Sequence, residues 1–290
     1  MAIPGADRFL NCVLNRSKKD TILKILVLLL VVLGTPAYML NGIVSYQLGT
    51  GEFDLSQFFN VVLFMCVVAA YVMYSIVKSL VQHKERDVEW MSALIEYASY
   101  FGGDTQKLSD IRDDLQSLVT RNYQRGAFIL FVAISVAVVI QAVLDMLWLI
   151  QFEQRGILEV FDMAFIFVIL STICLIVHDR ISMIDVLQYR FTLVFSKLMN
   201  DEDHHLDPMP KIVWRSKPLR HMFLMMATLG FYSIPYALWT VHQMNLHIKR
   251  QWTYERAALE WMARRDGAVA VEKMETVTRK GILHNLKRVI

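Results

Sequence analysis

The 290-residue chain has few of the residues that characterise several common protein classes. Its 12 glycines and 6 prolines exclude collagen-like and low-complexity proteins. Its 3 cysteines, Cys12, Cys66 and Cys174, form no CxxC pair and no zinc-ligand spacing, which excludes a disulfide framework. Only 20% of the residues are charged, against about 25% in soluble domains. The composition is therefore poor in the charged side chains that cover a soluble protein.

The chain also has little net charge and lacks the common catalytic motifs. The formal net charge is only +3, and no concentrated basic face precedes the carboxyl-terminal tail, so a nucleic-acid partner is not expected. The sequence contains no GxSxG, P-loop, GxGxxG or HExxH motif. We therefore expect a protein that is not an enzyme and that uses no cofactor.

Apolar residues are in excess, at 55% of the chain, with a mean hydropathy of +0.38. They form runs at 22–46, 57–77, 126–150 and 158–177, each long enough for a hydrocarbon core of about 30 Å. The first run is too long for a signal peptide and no small-residue cleavage site follows it, so we expect it to be retained. The pattern predicts an all-α integral membrane protein with four transmembrane helices in two hairpins, 22–77 and 126–177.

Lysine and arginine alternate across these runs and predict their orientation. They are absent from the 48–56 loop, and Arg155 is the one example between the third and fourth runs. The other three segments are rich in them: Arg8, Arg16, Lys18 and Lys19; Lys78, Lys84, Arg86, Lys107, Arg112, Arg121 and Arg125; Arg180, Arg190, Lys197, Lys211, Arg215, Lys217 and Arg220. Positive charge favours the cytoplasmic side. We therefore expect a multi-pass protein of the cell membrane with a cytoplasmic amino terminus.

The remaining segments complete the predicted domain order. They are an interfacial amphipathic helix at 1–21, a cytoplasmic helical pair at 78–125, a cytoplasmic helix with an acidic loop at 178–218, an apolar segment at 219–246 and a basic tail helix at 247–290. Residues 249–288 contain ten Lys or Arg against five Asp or Glu. Such a tail would attract anionic lipid headgroups, although a solvated helix fits the same composition.

An architectural repeat is visible in this order. Three times an apolar hairpin is followed by a polar helical segment, and each polar segment begins near a histidine: His83, His178, and His242 or His247. The sequence HKERDVEWMSALIEY after the first hairpin resembles HIKRQWTYERAALEWM after the third. The likeness indicates either an internal duplication or two amphipathic helices that leave a membrane in the same way.

The segment 78–125 is predicted to form two helices separated by Gly102 and Gly103. The first has an apolar stripe of Val88, Met91, Ile95 and Ala98. The second has one of Leu108, Ile111, Leu115 and Leu118, which is the spacing of a coiled-coil seam. The two helices would pack on each other, or the second would offer its seam to another subunit.

Two groups of polar residues are candidate sites. The loop NDEDHHLDPMP holds Asp203, His204 and His205, which are possible metal ligands, although a solvated acidic loop explains the same residues. Within the apolar runs, Asp145 and Asp162 lie at similar distances from the turn between the third and fourth runs, and Gln141 lies one helical turn before Asp145. An antiparallel hairpin would put both carboxylates at similar height, and ionisable groups inside a membrane are functional candidates, so we expect the two aspartates to face each other. The alternative is that both side chains reach the external interface.

Three residues are predicted to bend or break helices. Pro36 lies inside the first apolar run, where it removes a backbone donor and should kink the helix. Gly230 and Pro235 interrupt the apolar segment 219–246 and leave arms of about 10–12 residues, too short to span a bilayer. We therefore expect a re-entrant hairpin there, with its turn near Tyr232 and a cytoplasmic tail. The alternative is a straight fifth transmembrane helix over 218–245.

Residues 215–252 contain a basic entry, an apolar run, the core TLGFY at 228–232, and then Tyr236 and Trp239. This stretch resembles the family called domain of unknown function 4234, from which Pro235 departs. The resemblance covers about 40 residues and implies a prokaryotic-type membrane protein of no assigned activity.

The expected function is that of a non-catalytic membrane scaffold or accessory subunit of a membrane complex, because membrane hairpins alternate with cytoplasmic helices that offer packing faces. The alternative is an oligomeric ion channel or transporter, based on Asp145, Asp162 and Pro36. In both cases we expect membrane lipid and either identical or unlike subunits as partners.

Overall fold

The computed structural model describes residues 3–16, 55–118, 120–146, 152–213, 217–228 and 232–266. Every regular element in these ranges is a helix, which confirms the all-α class. The helices are α1 (Ala6–Leu14), α2 (Leu55–Tyr100), α3 (Gln106–Leu118), α4 (Arg121–Met146), α5 (Phe152–Met199), α6 (Pro218–Ala227) and α7 (Ser233–Asp266). Pro36, the first predicted span and the end of the tail lie outside the described residues.

Two helices are far longer than a membrane requires. Helix α2 has 46 residues and α5 has 48, so each extends about 70 Å at 1.5 Å per residue. No break falls at 77/78 or at 177/178, where we placed domain boundaries, because neither position carries a helix-ending residue. Helix α2 does end before the predicted glycine pair, and Gly102 adopts a left-handed φ of 77° there.

Helix α4 runs antiparallel to α2. Tyr71 and Tyr74 of α2 contact Phe131 and Phe128 of α4, with ring centroids 6.1 Å and 5.7 Å apart. By length and composition, two described helical stretches, Cys66–Tyr100 and Gln106–Gln141, could cross a membrane.

The polar ends of α2, α5 and α7 pack side by side and run in the same direction. Successive contacts from Asp87 to Gln188 and from Trp90 to Phe191 advance along both α2 and α5. The contacts between α2 and α7 advance in the same way: His83 with His247, Asp87 with Gln251, Trp90 with Tyr254, and Tyr97 with Trp261. Each of these α2–α7 pairs joins equivalent positions of the two similar sequences noted above, so the likeness corresponds to an in-register parallel pair.

Helices α1 and α3 cover this parallel bundle. Phe9 of α1 is fully buried and meets Trp90 edge-on at 6.4 Å. The amphipathic helix predicted near the amino terminus therefore forms, but its apolar face is covered by protein rather than by lipid headgroups. On α3, Leu108 and Leu115 are fully buried, and Ile111 and Leu118 pack against the same core. The predicted seam is thus used within the chain.

The stripe predicted on α2 is only part of its buried surface. Met91 and Ala98 are fully buried, as are Trp90, Leu94 and Tyr97 on a neighbouring face. Other helices pack against several sides of α2, so a single apolar stripe underestimates how many of its side chains are buried.

The apolar segment 219–246 is broken, as the sequence predicts. Helix α6 ends at Ala227 and α7 begins at Ser233, which rules out the straight helix over 218–245. Pro235 lies in the first turn of α7, where a missing N–H costs little. The arms contact each other, since His221 of α6 lies 4.2 Å from the Tyr236 ring, centroid to centroid. Helix α7 continues to Asp266 and so runs past the boundary predicted at 246/247.

Candidate functional site

Where the three parallel helices meet, eight polar side chains are enclosed, each at most 1% exposed. We call them the buried polar cluster: His83, Arg86, Asp87, Asp185, Gln188, His247, Gln251 and Glu255. Helical spacing explains their convergence, because His83 and Asp87 on α2, and His247, Gln251 and Glu255 on α7, recur every four residues on one face.

Asp87 is the centre of the cluster. Its Oδ1 accepts hydrogen bonds from Gln251 Nε2 at 2.6 Å and from Trp90 Nε1 at 3.1 Å, and its Oδ2 accepts one from Gln188 Nε2 at 2.8 Å. His83 Nε2 lies 3.4 Å from the same Oδ2. The donors come from all three helices and stabilise a carboxylate that is removed from water.

Asp185 joins the cluster to the loop that follows α5. Its Oδ1 lies 2.9 Å from His247 Nδ1, and its Oδ2 accepts the backbone N–H groups of Ile212 and Val213 at 2.7 Å and 2.9 Å. Burial raises the pKa of this carboxyl, but the hydrogen bond and charge of His247 and the two N–H donors outweigh burial, so the pKa lies below its ordinary value. The ionised Asp185 only accepts hydrogen bonds, so Nδ1 of His247 carries a proton.

The two histidines face each other across the cluster, with ring centroids 5.3 Å apart and nearly perpendicular planes. His83, Asp87 and His247 each place a possible metal-ligand atom within 4.8 Å of the other two. His247 Nε2 is buried and has no hydrogen-bond partner among the described residues.

A buried ion pair lies beside these groups. Arg86 Nη2 is 2.7 Å from Glu255 Oε1, and both side chains are shielded from solvent. The pair is a further polar link between α2 and α7 and adds no net charge to the cluster.

The acidic loop does not supply a metal site among the described residues. His204 Nδ1 lies 3.0 Å from Asp201 Oδ1, while His205 contacts Asn200 and Asp207 at 3.0 Å and 3.1 Å. Asp203 is exposed, and its backbone N–H contacts Asp201 at 3.2 Å. These polar groups are thus paired locally, while Leu206, Met209 and Val213 anchor the loop in the core.

The predicted intramembrane residues Gln141, Asp145 and Asp162 lie in the apolar parts of α4 and α5. Asp145 is near the end of α4 and Asp162 in the third turn of α5, but their side chains lie outside what the structure describes, so their pairing stays a prediction. Gln141 is described, and its Nε2 is buried without a hydrogen-bond partner in that part of the chain. Gly230 and Pro36 are not among the described residues.

Sequence reasoning noticed the histidines but missed the carboxylates and amides around them. The available signal was polar residues four apart on helices otherwise rich in apolar residues, namely His83 with Asp87 and His247 with Gln251. The sequence predicts only one apolar stripe on this part of α2, Val88, Met91, Ile95 and Ala98, and assigns no role to these polar positions. The pattern does not reveal that three helices surround them.

No protein-family model matches this chain, and no curated protein or solved structure matches it either. The resemblance of residues 215–252 to the domain of unknown function 4234 therefore stays a prediction.

Proposed function

We propose that this protein is a multi-pass membrane scaffold, or an accessory subunit of a membrane complex, whose packed head lies on the cytoplasmic side. The observation that carries the proposal is the contrast between the two ends of the long helices. Their polar ends form the buried bundle, while their apolar ends leave large side chains uncovered.

The apolar surface is clearest on α4. Its exposed side chains form one broad stripe: Phe128, Ile129, Val132, Val136, Val139, Ile140 and Val143. The stripe covers 15 residue steps, or about 23 Å, which is most of a hydrocarbon core. Phe165 and Val168 of α5 are more than 60% exposed and extend the apolar surface. Lipid is the covering that suits such a surface.

Aromatic and basic side chains lie between the apolar and polar ends. Lys78 Nζ lies 5.9 Å from the Tyr74 ring centroid, and the Arg180 guanidinium lies 5.9 Å from that of Tyr123. Tyrosines with Lys or Arg are typical of a membrane–water interface. This level supports a boundary just before the bundle. The four spans of the proposal rest on the apolar runs, and the cytoplasmic amino terminus rests on the lysine and arginine alternation.

The scaffold proposal is tested on the full chain purified in mild detergent. We expect a complex with unlike subunits of defined stoichiometry, by light scattering and native mass spectrometry. We also expect proteoliposomes of the purified chain to show no more ion flux than empty vesicles. A closed ring of identical chains that conducts ions would overturn the proposal.

The second candidate is an oligomeric ion channel or transporter. It is favoured by Gln141, whose amide nitrogen is buried in the apolar half of α4 without a described partner. If a pore is lined by this region, Gln141→Leu would change ion flux by several-fold, whereas Val139→Leu on the exposed stripe would not.

A further inference from the structure

We propose that His83, Asp87 and His247 bind one divalent transition-metal ion, such as Zn²⁺, that joins α2 to α7. The site is independent of the orientation in the membrane and of the scaffold function. The ion would join two helices that are far apart in the sequence, because its ligands His83 and His247 are separated by 164 residues.

The ligand types and distances fit such an ion. Two imidazole nitrogens and one carboxylate oxygen suit Zn²⁺ and Fe²⁺. In a tetrahedral site with bonds of about 2.0–2.2 Å, neighbouring ligand atoms lie about 3.4 Å apart. His83 Nε2 and Asp87 Oδ2 already lie 3.4 Å apart. The three residues offer ligand atoms that all lie within 4.8 Å of one another, so side-chain movements of about 1.4 Å or less would close the site.

His247 is oriented as metal-binding histidines commonly are. Asp185 Oδ1 accepts the hydrogen bond from Nδ1 at 2.9 Å, which leaves Nε2 as the ligand atom. That atom is buried and has no hydrogen-bond partner in the described chain. A buried nitrogen lone pair is costly unless something occupies it, and a bound cation would do so.

The charge balance also favours a divalent cation. Asp87 and Asp185 bring two buried negative charges, while Arg86 and Glu255 cancel each other. A divalent ion with two neutral histidines makes the cluster neutral.

The test uses the full chain in detergent, expressed in medium supplied with Co²⁺ and, separately, with Zn²⁺. We expect one metal per chain by elemental analysis and the visible d–d absorption bands of four-coordinate Co²⁺. We also expect Zn²⁺ to raise the unfolding temperature of chelator-treated protein, because an ion that binds only the folded state stabilises it.

Conservative variants make the test specific. His83→Gln and His247→Gln keep polar side chains of similar size, and each should weaken Co²⁺ binding at least 100-fold and abolish the d–d bands. Asp185→Asn acts on a positioning residue and should weaken binding about 10–100-fold while keeping one metal per chain. His242→Ala, at an exposed position on the same helix, is the matched control and should bind like wild type.

Circular dichroism shows whether each variant is folded. The proposal is overturned if folded wild-type protein binds no metal. It is also overturned if folded His247→Gln keeps the wild-type Co²⁺ bands, or if His204→Ala and His205→Ala in the loop remove them.

Discussion

At the scale of single residues, the molecule places an unusual number of charges out of water. Taking an ion pair such as Arg86 and Glu255 out of water costs several kcal/mol per ion, and the pair is tolerated because its partners are 2.7 Å apart. The cost of removing one partner is therefore larger than the net contribution of the pair.

We predict that Glu255→Gln lowers the free energy of unfolding by about 3–5 kcal/mol, because Arg86 is left charged and buried. The double variant Arg86→Met with Glu255→Leu should lose less than the single variant. Urea unfolding in detergent, followed by circular dichroism, measures both. Glu260→Gln, which breaks the exposed pair with Arg256 on the same helix, is the control and should cost less than about 1 kcal/mol. A double variant less stable than Glu255→Gln would contradict this account.

Asp185 gives a prediction about pH. Its pKa is lowered by folding, so its contribution to stability is present above its ordinary pKa of about 3.9 and is lost as the pH falls through the lower folded value. Asp185→Asn should therefore reduce the loss of stability in acid. It should also speed amide hydrogen exchange at Ile212 and Val213, as measured by mass spectrometry. Asp207→Asn, on the exposed part of the same loop, should leave both unchanged.

At the scale of helices, the close approach of α1 to α2 depends on Gly5. Its φ is 84°, and a Cβ there would collide with the carbonyl oxygen of Ala93 and lie 2.5 Å from the backbone nitrogen of Tyr97. Both contacts are with backbone, which cannot rotate away.

We predict that Gly5→Ala lowers the free energy of unfolding by about 2–4 kcal/mol, the sum of a left-handed conformational penalty and an overpacking penalty. Gly102→Ala isolates the first of these, because its φ is 77° but no atom lies within 4 Å of the added Cβ. It should cost only about 1–2 kcal/mol. Equal losses in the two variants would show that the contact with α2 is unimportant.

Helix existence was predictable from the sequence, but helix extent and surroundings were not. Apolar runs and the glycines at 102–103 correctly predicted helices and the stop after α2. The change from apolar to polar composition near 77 and 177 suggested boundaries, but backbone hydrogen bonding continues through such a change when no proline or glycine interrupts it. The buried polar cluster was missed because burial in a three-helix bundle depends on contacts far apart in sequence.

At the scale of the whole molecule, the parallel bundle constrains topology. The contacts that advance along α2 and α7 require both helices to run in the same direction. Their carboxyl-terminal ends must then lie on the same side of any membrane that the apolar end of α2 crosses. This agrees with a hairpin at 219–246 whose second arm is the first part of α7.

We predict that a cysteine at Gly51 is labelled by an impermeant maleimide added to intact cells, whereas one at Ser109 is labelled only after permeabilisation. A reporter that is active only in the cytoplasm should be active when fused after Ile290, because Lys and Arg favour that side for both segments. Labelling of the cysteine at position 109 in intact cells would show that the orientation is the reverse of the one predicted. An external reporter would contradict the parallel arrangement of α2 and α7.

The buried polar cluster also determines when, during synthesis, this part of the protein can fold. Asp87 receives its shortest hydrogen bond from Gln251, 164 residues later in the chain. At a translation rate of about 5–20 residues per second, the acceptor is made about 8–33 s before its donor. Until Gln251 has been made, burial of the Asp87 carboxylate would leave it without this hydrogen bond. The buried polar cluster must therefore stay open to water during most of synthesis. Completion of α7 is thus the event that lets the buried polar cluster close, and a ribosome-stalled chain ending before α7 should remain open to proteases.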